Sequence, residues 1–186
     1  MSRTICWTPS WNKDREGVGL EHLLLAECVA DSVVLAFDDE RGPFRLTYRL
    51  TWDESWRLRD AQLVLATERS TRELHLETDG RGHWRDENGV ISALDGCMDI
   101  DIWPTPFTNS FPIRREPLAI GERRQFLMAW VFAPDLTVHP QQQAYTRLAD
   151  RLYLFENLDG SGFRAELAVD EDGIVLDYPD LFRRVQ

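Results

Sequence analysis

Asp99 and Asp101 stand two residues apart in "GCMDIDIWPTPFTNSFPIRR", residues 96–115, and Asn109, Arg114 and Arg115 follow within the same run. Residues i and i+2 of a strand point to one side, so the two carboxylates share a face. Acids so placed can hold a cation, share a proton or divide the roles of acid and base. Burying them unpaired is costly, and a neighbouring guanidinium is the usual remedy. Arg114 and Arg115, just beyond the loop, could fold back to supply it. Two readings are open: an ion-pair network that pins the loop to the strand, or a polar cluster that faces a ligand.

Other reactive chemistry is sparse. There is no Gly-x-Ser-x-Gly elbow and no glycine-rich phosphate loop, and His22, His75, His83 and His139 are scattered without metal-ligand spacing. No metal and no cofactor is expected. Cys6, Cys28 and Cys97 are odd in number and widely spaced, which fits free thiols rather than a disulfide framework or a zinc site. Cys97 lies beside the acids, whose charge raises a thiol pKa and blunts it as a nucleophile. Most of the tryptophans, Trp11 among them, suit a core. Trp84 is different: in "DGRGHWRDENG" it sits between glycines on a tight hairpin, an exposed position, and tryptophan faces are surfaces on which sugars stack. The candidate ligand-binding residues are therefore Trp84, Asp99, Asp101, Asn109, Arg114 and Arg115.

The elements that must position them are strands. In "FRLTYRLTW" Phe44, Leu46, Tyr48, Leu50 and Trp52 share one face and Arg45, Thr47, Arg49 and Thr51 the other, the pattern of a half-buried strand. Similar readings apply to Leu20–Cys28, Ser32–Phe37, Arg57–Glu68, Arg72–Thr78, Cys97–Trp103, Arg124–Ala133, Arg147–Glu156, Phe163–Val169 and Ile174–Tyr178. Asp79-Gly80, Asn88-Gly89, Asp95-Gly96, Asp159-Gly160 and Asp172-Gly173 supply hairpin turns between them. Helix is confined to short turns around Phe107–Phe111 and Pro140–Tyr145. Pro104, Pro106 and Pro112 fix φ and push their predecessors into extended geometry, so the loop after Cys97–Trp103 is preshaped.

A meander of ten or so strands must curl or close to cover its apolar face. The expected fold is mainly β: an antiparallel spiral roll or incomplete barrel with one or two short helices, residues 1–186 forming a single domain. The net charge of −11 opposes nucleic acid and anionic membranes as partners. The N-terminal "MSRTICWTPSWNKDREG" lacks the apolar centre of a secretory signal, and no run reaches the length of a transmembrane helix. A cytoplasmic location is the expectation.

"DGRGHWRDENGVISALDGCMDIDIWPTPFTNSFPIRR", "PDLTVHPQQQAYTRL" and "GIVLDYPDLFRRV" together resemble the putative glycolipid-binding family of bacterial proteins, a domain of unknown function. The likeness runs from the Trp52–Trp56 region to the C-terminus. It includes Gly96, Cys97, Asp99, Asp101, Thr105 to Asn109 and Pro112 to Arg115. The resemblance implies a spiral β-roll likened to carriers of lipidated proteins, and a glycolipid or other amphiphile as partner. On that reading the protein is a binding protein, its ligand held in an apolar groove with a polar rim. The alternative is a hydrolase-like enzyme acting on a sugar-containing or acyl substrate through Asp99 or Asp101.

Overall fold

The computed structural model describes residues 2–10 and 19–186; Trp11 lies outside them. The described chain is mainly β. Its strands are β1 (Arg3–Pro9), β2 (Leu20–Ala26), β3 (Val29–Asp38), β4 (Gly42–Trp52), β5 (Leu58–Thr67), β6 (Thr71–Thr78), β7 (Trp84–Asp86), β8 (Gly89–Val90), β9 (Asp99–Trp103), β10 (Arg123–Phe132), β11 (Thr137–Ala149), β12 (Leu152–Asn157), β13 (Arg164–Val169), β14 (Val175–Tyr178) and β15 (Phe182–Arg184). Alternation decides the faces. Along β4, Phe44, Leu46, Tyr48, Leu50 and Trp52 are buried while Arg45 and Arg49 are exposed, and Leu46, Tyr48 and Leu50 stand opposite Leu65, Leu63 and Ala61 of β5. Glu87-Asn88 reverses the chain between β7 and β8, with Gly89 opening β8, and Asp172-Gly173 lies in the turn between β13 and β14; both glycines hold positive φ, 120° and 73°, which a side chain would strain.

All fifteen strands form one sheet. Its order descends from β8 to β1, passes directly to β15, and descends again to β9. β1 and β15, near the two ends of the chain, thus pair in mid-sheet, with Trp7 opposite Arg184. The free edges, β8 and β9, are consecutive in sequence and are joined by residues 91–98 rather than by ladder hydrogen bonds, so the sheet is not closed into a barrel. It curls nonetheless: Arg41, in the β3–β4 turn, and Arg72, on β6, both reach Asp135 in the β10–β11 turn.

Two expectations are corrected. Pro140–Tyr145 is not helical but lies inside β11, where Ala129 of β10 stands opposite Pro140. β12 pairs with β11 only from Gln143 onward, so Pro140 sits where β11 has a single partner strand, the edge-like setting a strand proline tolerates. The sheet is also not wholly antiparallel, because β9 and β10 run parallel. Parallel neighbours need a crossover, and the proline-rich segment provides it: a 3-10 turn over Phe107–Asn109 leads into the helix α1 (Ser110–Arg115).

That crossover goes through the inside of the curl. Residues 104–113 are buried without interruption. Phe111 packs edge-on against Phe107 and against Trp52 of β4, and Phe107 meets Trp52 at a tilt, with ring centroids 5.4–6.0 Å apart. Each fully buried phenylalanine contributes roughly 2–3 kcal/mol. The segment fills part of the interior, and a cleft of about 670 Å³ remains beside it.

Candidate functional site

The cleft lies on the concave face of β9–β12 and is closed on its other side by residues of β14 and β15. Strand register builds its wall. Asp101, Trp130 and His139 stand side by side on β9, β10 and β11, and Gln143 stands opposite Asn157 of β12. Trp130 stacks on Phe132 at 5.6 Å and meets His139 at 4.8 Å, and Trp103 lies 5.4 Å from Phe132. Phe155, Phe163, Tyr178 and Phe182 make the apolar side.

Asp101 is the more buried of the two acidic side chains that line the cleft. It accepts from Gln143 Nε2 at 2.5 Å and from the Thr108 hydroxyl at 3.1 Å. The Ile102 N–H donates to Thr108 Oγ1 at 3.2 Å, leaving the hydroxyl proton for Asp101. Burial pushes the Asp101 pKa up, and the two donors draw it back in part. Asn109 donates to the Tyr145 hydroxyl at 2.8 Å and lines the same cleft. The hydroxyls of Tyr145 and Tyr178 are raised well above the ordinary tyrosine range, first by burial and then by the charge of Asp101.

The other sequence candidates lie elsewhere. Asp99 is fully buried and gripped by Arg115, whose Nε and Nη2 reach its two oxygens at 3.0 and 2.7 Å. Burial raises the Asp99 pKa against the pull of that guanidinium. The pair is the ion-pair anchor foreseen as one of two readings. Being sealed from solvent, Asp99 has no surface for a ligand. Arg114 is exposed, sits 5.2 Å over the Trp56 ring and lines a different, shallower pocket with Trp52 and Asp172. Trp84 is not exposed: it is 1% accessible and donates its indole N–H to the Cys97 carbonyl at 2.7 Å. A side chain that size gains more from burial than from its hairpin position, and the backbone carbonyl meets its one polar atom. Of six candidates, then, Asp101 and Asn109 meet at the cleft.

Sequence reasoning missed Gln141, Gln143, Asn157, Trp103, Trp130 and Thr105, which line the cleft with them. The glutamines were hidden because Pro140–Tyr145 read as helix. It also missed Glu21 on β2, 2% accessible, whose Oε1 accepts from Tyr48 at 2.5 Å, Thr105 at 2.9 Å and Ser32 at 3.0 Å. Across β5 and β6, Asp60, His75 and Glu77 bring three metal-ligating atoms within 4.8 Å of one another. They are committed within the protein, His75 to Asp60 at 2.5 Å and Glu77 to Arg85 at 2.7 Å. No described helix is long and apolar enough to cross a membrane.

The fold and cleft define an all-β protein built on a single open, curled sheet around a buried crossover. Residues 8–184 match the model of the family described as "Putative glycolipid-binding", and the chain belongs to that family. It is also similar to a DUF1089 family protein from Pseudomonas aeruginosa, solved as a crystal structure, with 50% identity and a TM-score of 0.88 over 90% of this chain and 92% of that one. A search of curated proteins finds no match.

Proposed function

We propose that the cleft beside Asp101 binds an amphiphile with a sugar head group and does not convert it. The observation that carries this reading is the contrast between the two sides of the cleft: Asp101, Gln141, Gln143 and Asn157 against Phe155, Phe163, Tyr178 and Phe182. Polar groups that fix an orientation, set in a mainly apolar hollow, are the usual make-up of a small-molecule site, and 670 Å³ is an ordinary size for one. The half-buried Trp103 and Trp130 line the same cleft and offer aromatic surface to a pyranose. The family description agrees in naming glycolipids. Asn109 belongs to the floor, and Asp99 with Arg115 holds the crossover that carries it. Arg114 and Trp84 have no part in this ligand site.

Native mass spectrometry of protein purified from cells, together with titration by a fluorescent acyl-chain probe, tests the proposal. Expected are a copurifying adduct of lipid size and saturable probe binding that added alkyl glycoside displaces. Absence of both would reject it.

A further inference from the structure

Two carboxylates set the polarity of the amides in the cleft. Gln143 Nε2 donates to Asp101 Oδ2 at 2.5 Å. Asn157 Nδ2 donates to Asp159 Oδ2 at 2.8 Å, and Gln141 Nε2 donates in turn to Asn157 Oδ1 at 2.7 Å. A carboxylate only accepts, so both chains have one direction and the amide nitrogens and oxygens are not interchangeable. Asn109 spends its amide nitrogen on Tyr145 as well.

What these residues have left is acceptor oxygen. Oε1 of Gln141 and Oε1 of Gln143 are buried and without a hydrogen-bond partner among the described residues, and Gln143 as a whole is 1% accessible. A buried acceptor left unmet is expensive, so a donor brought to it is favoured. The charges agree with the lone pairs. Asp101 and Asp159 line the cleft, no arginine or lysine lines it among the described residues, and His139 is its basic residue. An anion placed there would meet the half-buried carboxylate of Asp101 and the exposed one of Asp159, inside a protein already carrying −11.

We infer that the cleft selects a head group that donates hydroxyls and bears no negative charge: a neutral sugar, rather than one carrying phosphate, sulfate or a uronic acid. This rests on the proposal that the cleft takes a sugar-bearing amphiphile, and it narrows the class. It leaves Arg114 and Arg115, ligand-binding candidates on sequence, outside the residues that line the cleft.

A matched pair of probes separates the two statements. Octyl β-D-glucopyranoside and octyl β-D-glucopyranosiduronic acid share chain and ring and differ in one carboxylate. Each is titrated below its micellar concentration into the full chain at pH 7.5, with octanol as the chain-only control and calorimetry as the readout. The neutral glycoside is expected to bind on the order of tenfold more tightly than the uronate. Asp101→Asn and Asp159→Asn, the latter at an exposed position, each with its fold checked by circular dichroism, should each narrow that gap by improving uronate binding. Equal binding of the two glycosides, or tighter binding of the uronate, overturns the inference and leaves the amphiphile proposal standing. Binding of neither beyond the octanol control overturns both.

Discussion

Thr105 donates its hydroxyl to Oε1 of Glu21 at 2.9 Å and so ties the buried crossover to β2, in the opposite half of the sheet. Tyr48 and Ser32 donate to the same oxygen, while Oε2 is buried without a partner among the described residues. Three donors offset only part of the desolvation, and burial lifts the Glu21 pKa from 4.5 to about 7.

A carboxyl whose pKa is higher folded than unfolded takes up a proton on folding between the two values. Its effect on stability is most favourable below 4.5, declines as pH rises from 4.5 to about 7, and is constant above. At roughly 1.4 kcal/mol per pKa unit the decline is on the order of 3 kcal/mol. Glu21→Gln should therefore match the wild type near pH 4.5 and exceed its stability by about 2–3 kcal/mol at pH 8. Urea denaturation at both pH values measures this. A difference that does not vary with pH would exclude Glu21 as the titrating group.

The Asp99–Arg115 pair is expected to matter for folding. Arg115→Met leaves a buried carboxylate unpaired and should cost about 3–5 kcal/mol, whereas adding Asp99→Leu removes the orphan and should restore much of the loss. Denaturation of the two single variants and the double variant gives the coupling. Purely additive losses would contradict the pairing.

Two tryptophans should separate stability from binding. Trp84→Phe removes the N–H donated to the Cys97 carbonyl and is expected to cost about 1–3 kcal/mol of stability with no change in glycoside affinity. Trp130→Ala should weaken octyl glucoside roughly fivefold to tenfold through loss of the stacking face. Paired melting and titration experiments check both. The reverse outcome would move the sugar site to the hairpin.

Cys97 is fully buried, and burial with the charge of Asp95 raises its thiol to about 11. It should resist Ellman's reagent at pH 8 in the folded protein and react fully in guanidinium chloride. Native reactivity at Cys97, read by peptide mapping, would show that its segment opens.

Much of the fold is legible in the chain because its causes are local. Period-2 alternation marks β4, β9 and β13, and Asp-Gly or Asn-Gly pairs mark some of the turns between strands, such as those from β6 to β7, β12 to β13 and β13 to β14. Where the local signal is mixed the reading fails. Leucines occupy both phases of β2, with Leu23 buried and Leu20 and Leu24 exposed, so nothing local announces that Glu21 points inward. Pro140 and three glutamines suggest a turn, and only pairing with β10 makes them a strand.

Sequence alone determined that Asp99 and Asp101 share a face, that prolines fix φ in the segment after them, and that the strands form a meandering sheet. Tertiary structure decided that Asp99 meets Arg115 while Asp101 meets the cleft, and that adjacent Arg114 and Arg115 part toward different surroundings. Alternation is a property of neighbours along one strand. Which partner each side chain finds depends on the path of residues 104–113 through the curl, set by contacts such as Thr105–Glu21 between residues far apart in the chain.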